Sequence, residues 1–225
     1  MEQTKTIEEK MTEGRQYRDI DVSLFERRAE GENEKVVSGY ATTFNQPYTL
    51  YTDAWEGVRV IYIEEVDKDA FNNTDMSDVI MQYNHVGRVF ARVSNGTLEI
   101  RPDEIGLHIR ANLGGTEIGR QLFEEIEGGY TTKMSFGFRV GKDKVDRTEE
   151  RDNETGITTY TYHRTILEIS KLFDVSAVSL PANDATSISA RAFFDGAIEE
   201  VKQEMFAREQ RERQKQKIRI LTEVL

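Results

Sequence analysis

The side chains of this sequence that could do chemistry together are a serine, three histidines and a few carboxylates. Ser135 lies in Lys133-Met134-Ser135-Phe136-Gly137-Phe138-Arg139-Val140, where Met134, Phe136, Phe138 and Val140 share one strand face. Ser135, Gly137 and Arg139 share the other, so a small hydroxyl stands beside a glycine where another chain could lie. A serine attacks a carbonyl only if a base takes its proton, and the base needs a third group to fix its tautomer. His85 ends a short apolar run and precedes Val86-Gly87, where a side chain can overhang a sheet edge. His108 lies inside Leu107-His108-Ile109-Arg110, and His163 inside Tyr162-His163-Arg164. The residues alone leave that choice open. For the carboxylate, Asp174 interrupts the apolar run Leu172 to Val178, where it either faces outward or has a partner, since an unpaired buried charge is costly. Glu168, in Leu167-Glu168-Ile169, is held in reserve.

Other chemistries are poorly served. The chain has no cysteine, hence no disulfide framework, thiolate zinc site or cysteine nucleophile. GxGxxG, HExxH, GxSxG and Ser-x-x-Lys are all missing from it. Gly137 to Lys142 has too short a spacing for a phosphate loop, and Asp143 stands where a magnesium-binding hydroxyl is required. The histidines are too scattered for a metal cluster, so no cofactor and no metal is expected. The net charge of −11 repels phosphate backbones, and Glu209 and Glu212 interrupt the basic run Arg208 to Lys217. No nucleic-acid partner is therefore expected. No apolar run approaches the roughly 18 residues of a membrane span, and Met1 to Lys10 lacks the apolar stretch of a secretory signal. An intracellular, soluble chain with no membrane partner is the expectation.

The elements that must position these groups are mostly strands. Residues 1–17 are charged and aperiodic and read as a flexible arm. Asp19 to Phe25 and Val36 to Phe44 alternate about a polar, glycine-containing link, which predicts a hairpin. Strands are also expected at Val58 to Ile63, Val79 to Tyr83, Arg88 to Val93, Thr97 to Arg101 and Leu107 to Ala111. Glu64 to Phe71 reads as one helical turn, and Asn95-Gly96 as a hairpin turn. Ile118, Leu122, Phe123 and Ile126 predict a helix that starts near Thr116 and is stopped by Gly128-Gly129. Lys142 to Gly156 has the character of a protruding hairpin tip, and Ile157 to Tyr162 and Leu172 to Leu180 are further strands. Phe194, Ile198, Val201 and Met205 mark an amphipathic helix with a narrow stripe, in a tail, 193–225, that needs a partner. The domain proper is then 18–192.

Taken in order, Tyr83-Asn84-His85, Phe90-Ala91-Arg92, Gly96-Thr97-Leu98, Gly106-Leu107, Met134 to Phe138 and Asp174-Val175-Ser176 through Pro181-Ala182-Asn183 resemble the prohead (capsid maturation) serine proteases of tailed phages. Ser38 to Ala41, Phe44-Asn45 and Glu65 to Phe71 fit the same pattern, so the likeness spans about residues 20 to 192. It implies an α+β fold similar to herpesvirus assemblin: a β-barrel-like, mostly antiparallel body, surrounding helices and a C-terminal helical tail. It also implies an endopeptidase that processes the major capsid protein or its scaffold segment, and usually itself, inside the assembling prohead in the bacterial host cytoplasm. Carried over by position, Ser135 is the nucleophile, His85 the base and Asp174 the third member, although the family commonly has Glu where Asp174 stands. Backbone amides would hold the oxyanion, with Arg139 or Arg191 as candidate helpers. The tail resembles appended helices that dock on scaffold or on a second copy. A non-catalytic scaffold or assembly factor on the same fold is the alternative from another class.

Overall fold

The computed structural model describes residues 14–20, 26–29, 35–179 and 188–223, which form two sheets and two helices. In chain order the elements are β1 (Gln16–Ile20), β2 (Glu26–Ala29), β3 (Lys35–Thr43), β4 (Tyr48–Trp55), β5 (Val58–Val66), β6 (Ile80–Tyr83), β7 (Val86–Arg92), β8 (Leu98–Pro102) and β9 (Gly106–Asn112). Then follow α1 (Glu117–Glu127), β10 (Lys133–Arg151), β11 (Thr158–Val178) and α2 (Ile188–Glu223).

The seven-stranded sheet runs β1-β10-β11-β5-β4, with β6 on β11 and β7 on β6. Its spine is β11. On one side β11 pairs antiparallel with β10, and on the other it runs parallel first to β5 and then, past Ile166, to β6. The smaller sheet, β2-β3-β9-β8, is antiparallel throughout. One apolar cluster joins the two sheets: Val37, Ala41, Leu107 and Ile109 from the smaller meet Met81, Phe136, Phe138 and Val175 from the larger. Leu122, Phe123 and Ile126, the buried stripe of α1, belong to the same cluster. Thr116 starts α1 as its N-cap, its side chain accepting from Gly119 N at 3.0 Å.

The α+β expectation holds, but no closed barrel forms among the described residues: β1 and β4 remain as edges of the larger sheet. The arm also ends earlier than expected, because Gln16 and Tyr17 already belong to β1, while residues 1–13 lie outside the described residues. The first hairpin pairs β2 with β3; of Asp19 to Phe25, read as its first strand, Asp19 and Ile20 belong to β1 and pair with β10, and Asp21 to Phe25 lie outside the described residues. Glu64 to Val66 extend β5 rather than opening a helical turn, and β4 is a strand with a mostly exposed face that alternation did not reveal. Asn95-Gly96 makes a turn, with Gly96 left-handed at φ 73°, but it joins β7 to β8 across the two sheets instead of closing a hairpin.

Beyond Arg139 most of β10 is exposed, while its partner β11 is itself paired with β5 from Thr158 to Ile166. The tip of the β10–β11 hairpin is tied by Asp152, whose carboxylate accepts from Glu154 N and Thr155 Oγ1, both at 2.8 Å. The tail helix is not without a partner. Phe194, Ala197, Ile198 and Val201 of α2 are buried against Val58, Val60, Tyr62, Tyr160 and Tyr162. A rim of ion pairs, Arg147 to Glu204 and Arg208 to Glu149, aligns α2 with the hairpin. No described helix is long and apolar enough to cross a membrane.

Candidate active site

Three neighbouring strands bring Ser135, Asp174 and His85 together. The β10–β11 register sets Ser135 opposite Ser176 and Gly137 opposite Asp174. On the far side of β11, Asp174 pairs with Ile80 and Ala177 with Tyr83, so the end of β6 reaches the same level. The chain then reverses in two residues, because Tyr83 pairs with Val86. Asn84 and His85 both take positive φ, 49° and 58°, as a type I′ turn requires. Asn tolerates that region; His does so at a cost, and such strain persists only where the surroundings enforce it. Here Asn84 N donates to Ala177 O at 3.0 Å, anchoring the turn to β11 and leaving the imidazole over the two strands.

The resulting contacts form a line. Asp174 Oδ1 lies 2.5 Å from His85 Nδ1, and His85 Nε2 lies 2.6 Å from Ser135 Oγ. A carboxylate oxygen can only accept, so Nδ1 carries the ring proton and Nε2 is left free to take one from Ser135. Ser176 Oγ donates to the same Asp174 Oδ1 at 3.0 Å. Asp174 Oδ2 is buried with no hydrogen-bond partner among the described residues and faces Gly137: a Cβ built there would sit 2.3 Å from it and 2.8 Å from the Tyr17 ring. Gly137 therefore makes room for the carboxylate, a role different from the opening suggested by the sequence.

The alternatives go elsewhere. Glu168 lies against Gly141, where an added Cβ would come within 2.9 Å of its carboxylate. His108 packs its ring on Tyr40, and His163 lies 3.5 Å from Glu65. Arg139 sits over the Phe173 ring, while Arg191 pairs with Asp195 on α2 and lies over Tyr51.

Nor is the serine face open. Ser135 has no exposed surface and His85 only 5%. The cover is β1, antiparallel to β10, with Asp19 opposite Ser135. The Tyr17 ring lies 4.2 Å from the His85 ring, and Ser135 Oγ can also donate to Arg18 O, at 3.0 Å. Ser176 was legible in principle, two residues from Asp174 and so on its face. Tyr17 was not, because it falls in the stretch read as an arm, and Arg18, the first residue of the expected domain, carries no local signal of its buried place.

Searches of curated proteins and of solved structures return no significant match. A family model does match, that of the caudovirus prohead serine protease, over residues 23–204. That span takes in Ser135, His85, Asp174 and every strand but β1, stopping within α2. By this match over most of its length, the chain belongs to the caudovirus prohead serine protease family.

Proposed function

We propose that the chain is a serine endopeptidase that processes the major capsid protein or its scaffold segment in the assembling prohead, within the host cytoplasm. Ser135 is the nucleophile, His85 the general base and Asp174 the group that orients and charges the imidazole. The observation that carries this reading is the unbroken line Asp174–His85–Ser135, with contacts of 2.5 and 2.6 Å. As Ser135 Oγ attacks the scissile carbonyl, its proton passes to His85 Nε2, and Asp174 stabilises the imidazolium. His85 then gives that proton to the leaving amine, and water resolves the acyl-enzyme by the same route. A groove lined by Tyr83, Asn84, Val86, Phe90, Ile118 and Leu122 opens beside the turn that carries His85 and offers apolar surface to a substrate chain.

The test is incubation of purified capsid protein with wild-type enzyme and with Ser135→Ala. Loss of the serine should lower the rate by several orders of magnitude, whereas processing that survives the substitution removes Ser135 from its role. The distal half of α2, with exposed Phe206, Ile218 and Ile220, is the surface we assign to docking on scaffold or on a second copy. Deleting residues 206–225 spares the buried stripe, and unchanged co-packaging and unchanged light scattering would dismiss that assignment.

A further inference from the structure

We propose that β1 is the enzyme's own tethered substrate strand, and that Glu64 is the residue that selects arginine immediately before the scissile bond. The inference deepens the proteolytic reading above and rests on it.

Three observations converge. First, β1 is the edge of the larger sheet, and it lies beside the nucleophile strand as an extended peptide does when it adds to an open edge. It also precedes residue 23, where the family match begins. Second, the carbonyl it offers to Ser135 is that of Arg18, whose oxygen is 3.0 Å from Oγ. That places the Arg18–Asp19 bond next to the nucleophile. Third, the Arg18 side chain, 1% exposed, ends in a built pocket. Its Nε and Nη2 fork onto the two oxygens of Glu64, itself fully buried. Nη2 also donates to Gln16 Oε1 at 3.0 Å, and the guanidinium lies 5.6 Å from the Phe138 ring centroid.

Glu64 has partners that do not belong to β1. Glu64 also accepts from Tyr48 Oη at 2.6 Å and Arg164 Nη1 at 2.9 Å, while Arg164 Nε donates to Asp143 at 2.6 Å. With Arg18 in place, two guanidinium groups face two carboxylates. When Arg18 leaves, Arg164 faces both Glu64 and the partly exposed Asp143, and the buried Glu64 carboxylate, short of one guanidinium, calls for a cation. The planar fork suits arginine better than lysine. A neutral residue leaves Glu64 with unmet acceptor positions, the kind of mismatch that discriminates by large factors.

The step balances with water as the co-reactant. Ser135 Oγ bonds to the Arg18 carbonyl carbon, the C–N bond to Asp19 breaks, and the serine proton reaches the departing Asp19 nitrogen by way of His85. Water then frees residues 1–18 with a new carboxylate, leaving β10 as the sheet edge for substrates in trans.

The test follows the full chain by intact mass while a fluorophosphonate probe reports access to Ser135. Wild type should lose residues 1–18, with probe labelling rising in step; Ser135→Ala should stay intact. Arg18→Glu should not cut at this bond, yet its strand is expelled and labelling should be at least ~10-fold faster than in the uncut wild type. Arg18→Lys should cut at least ~10-fold more slowly, and peptides spanning residues 14–23 with Ala in place of Arg should lose at least ~100-fold in kcat/KM. A wild-type chain that labels at Ser135 but keeps its Arg18–Asp19 bond, or an Ala peptide cut as fast as the Arg peptide, overturns the proposal and leaves the proteolytic reading standing. Failure of Ser135 to label in any variant overturns both.

Discussion

Gly137→Ala tests the seat of the carboxylate more sharply than removing the carboxylate does. The added methyl would lie 2.3 Å from Asp174 Oδ2 and 2.8 Å from Tyr17 Cε1. Ordinary contact begins near 3.4 Å, so the carboxylate must recede by about 1 Å, and the flanking ladder pair Gly137–Asp174 leaves the backbone little freedom to yield. Overpacking of this kind costs about 1–3 kcal/mol in stability. Moving a catalytic group by about 1 Å costs on the order of 100-fold in rate, or about 2.7 kcal/mol of transition-state stabilisation. The assay is single-turnover cleavage of capsid protein, paired with thermal unfolding to separate a displaced triad from an unfolded one. We expect a folded protein, a few degrees less stable, with the rate constant down about 100-fold and substrate affinity little changed. A variant that cleaves within twofold of wild type would refute the claim that Gly137 exists to seat Asp174.

Three further outcomes are expected. Asp174→Asn should lower the cleavage rate by about 10⁴-fold: if the amide nitrogen turns toward His85 Nδ1 it imposes the wrong tautomer, and otherwise it replaces the unpartnered Oδ2 and is left unsatisfied; cleavage kinetics with unchanged circular dichroism would check it. Phe194→Ala should destabilise the chain by about 3–5 kcal/mol, because the ring is 2% exposed among Tyr51 and Tyr62, while Phe206→Ala, at 63% exposure, should lie within about 0.5 kcal/mol of wild type in urea unfolding. Burial alone would raise the Glu64 carboxyl, but Arg18 and Arg164 outweigh it and hold the group below its ordinary value; its stabilising share is thus complete above about pH 4.3 and lost as pH falls through the lower folded value. Amide exchange at Tyr17 to Asp19 in the uncut Ser135→Ala chain, measured as the solution is acidified, should show β1 loosening across that window, and adding Glu64→Gln should flatten the dependence.

What the sequence makes legible follows from the range of the forces involved. Period-two alternation exposes the buried row Met134-Phe136-Phe138, and a 3.6-residue stripe with a Thr cap exposes α1, because both depend on neighbours within one element. The same stripe marks Phe194, Ile198 and Val201, although it cannot say that the surface receiving them is β5 and β11 of the same chain. The β-barrel-like expectation met no closed barrel among the described residues, because closure is decided by which edges pair and a strand pattern does not encode that. Asn95-Gly96 misled for a related reason: it specifies a local reversal, while the sheet that each flanking strand joins is set by distant partners. Among the site residues, Ser135 and Asp174 carry local signals, a hydroxyl on an alternating strand and a charge in an apolar one. His85 depends on the turn geometry at Asn84-His85, and its choice over His108 and His163 came from the family likeness rather than from physics.

The largest departure concerns the face beside Ser135, and it changes what the strand's small residues mean. Ser135 and Gly137 read as an opening for another chain; the structure fills that opening twice, from below by Asp174 under Gly137 and from the side by β1. The two occupants differ in kind. Asp174 is enclosed by paired strands and can leave only if the sheet breaks. The only ladder β1 makes among the described residues is with β10, and the ion-paired side chain that pins it, Arg18, can be matched by an arginine from another peptide. A strand paired at one edge, whose ion-paired side chain another peptide can match, is suited to be displaced, while a carboxylate locked between strands is suited to remain. The same stretch therefore combines a permanently seated carboxylate with a replaceable cover, and the physical difference between them is how many neighbours must move for each to go.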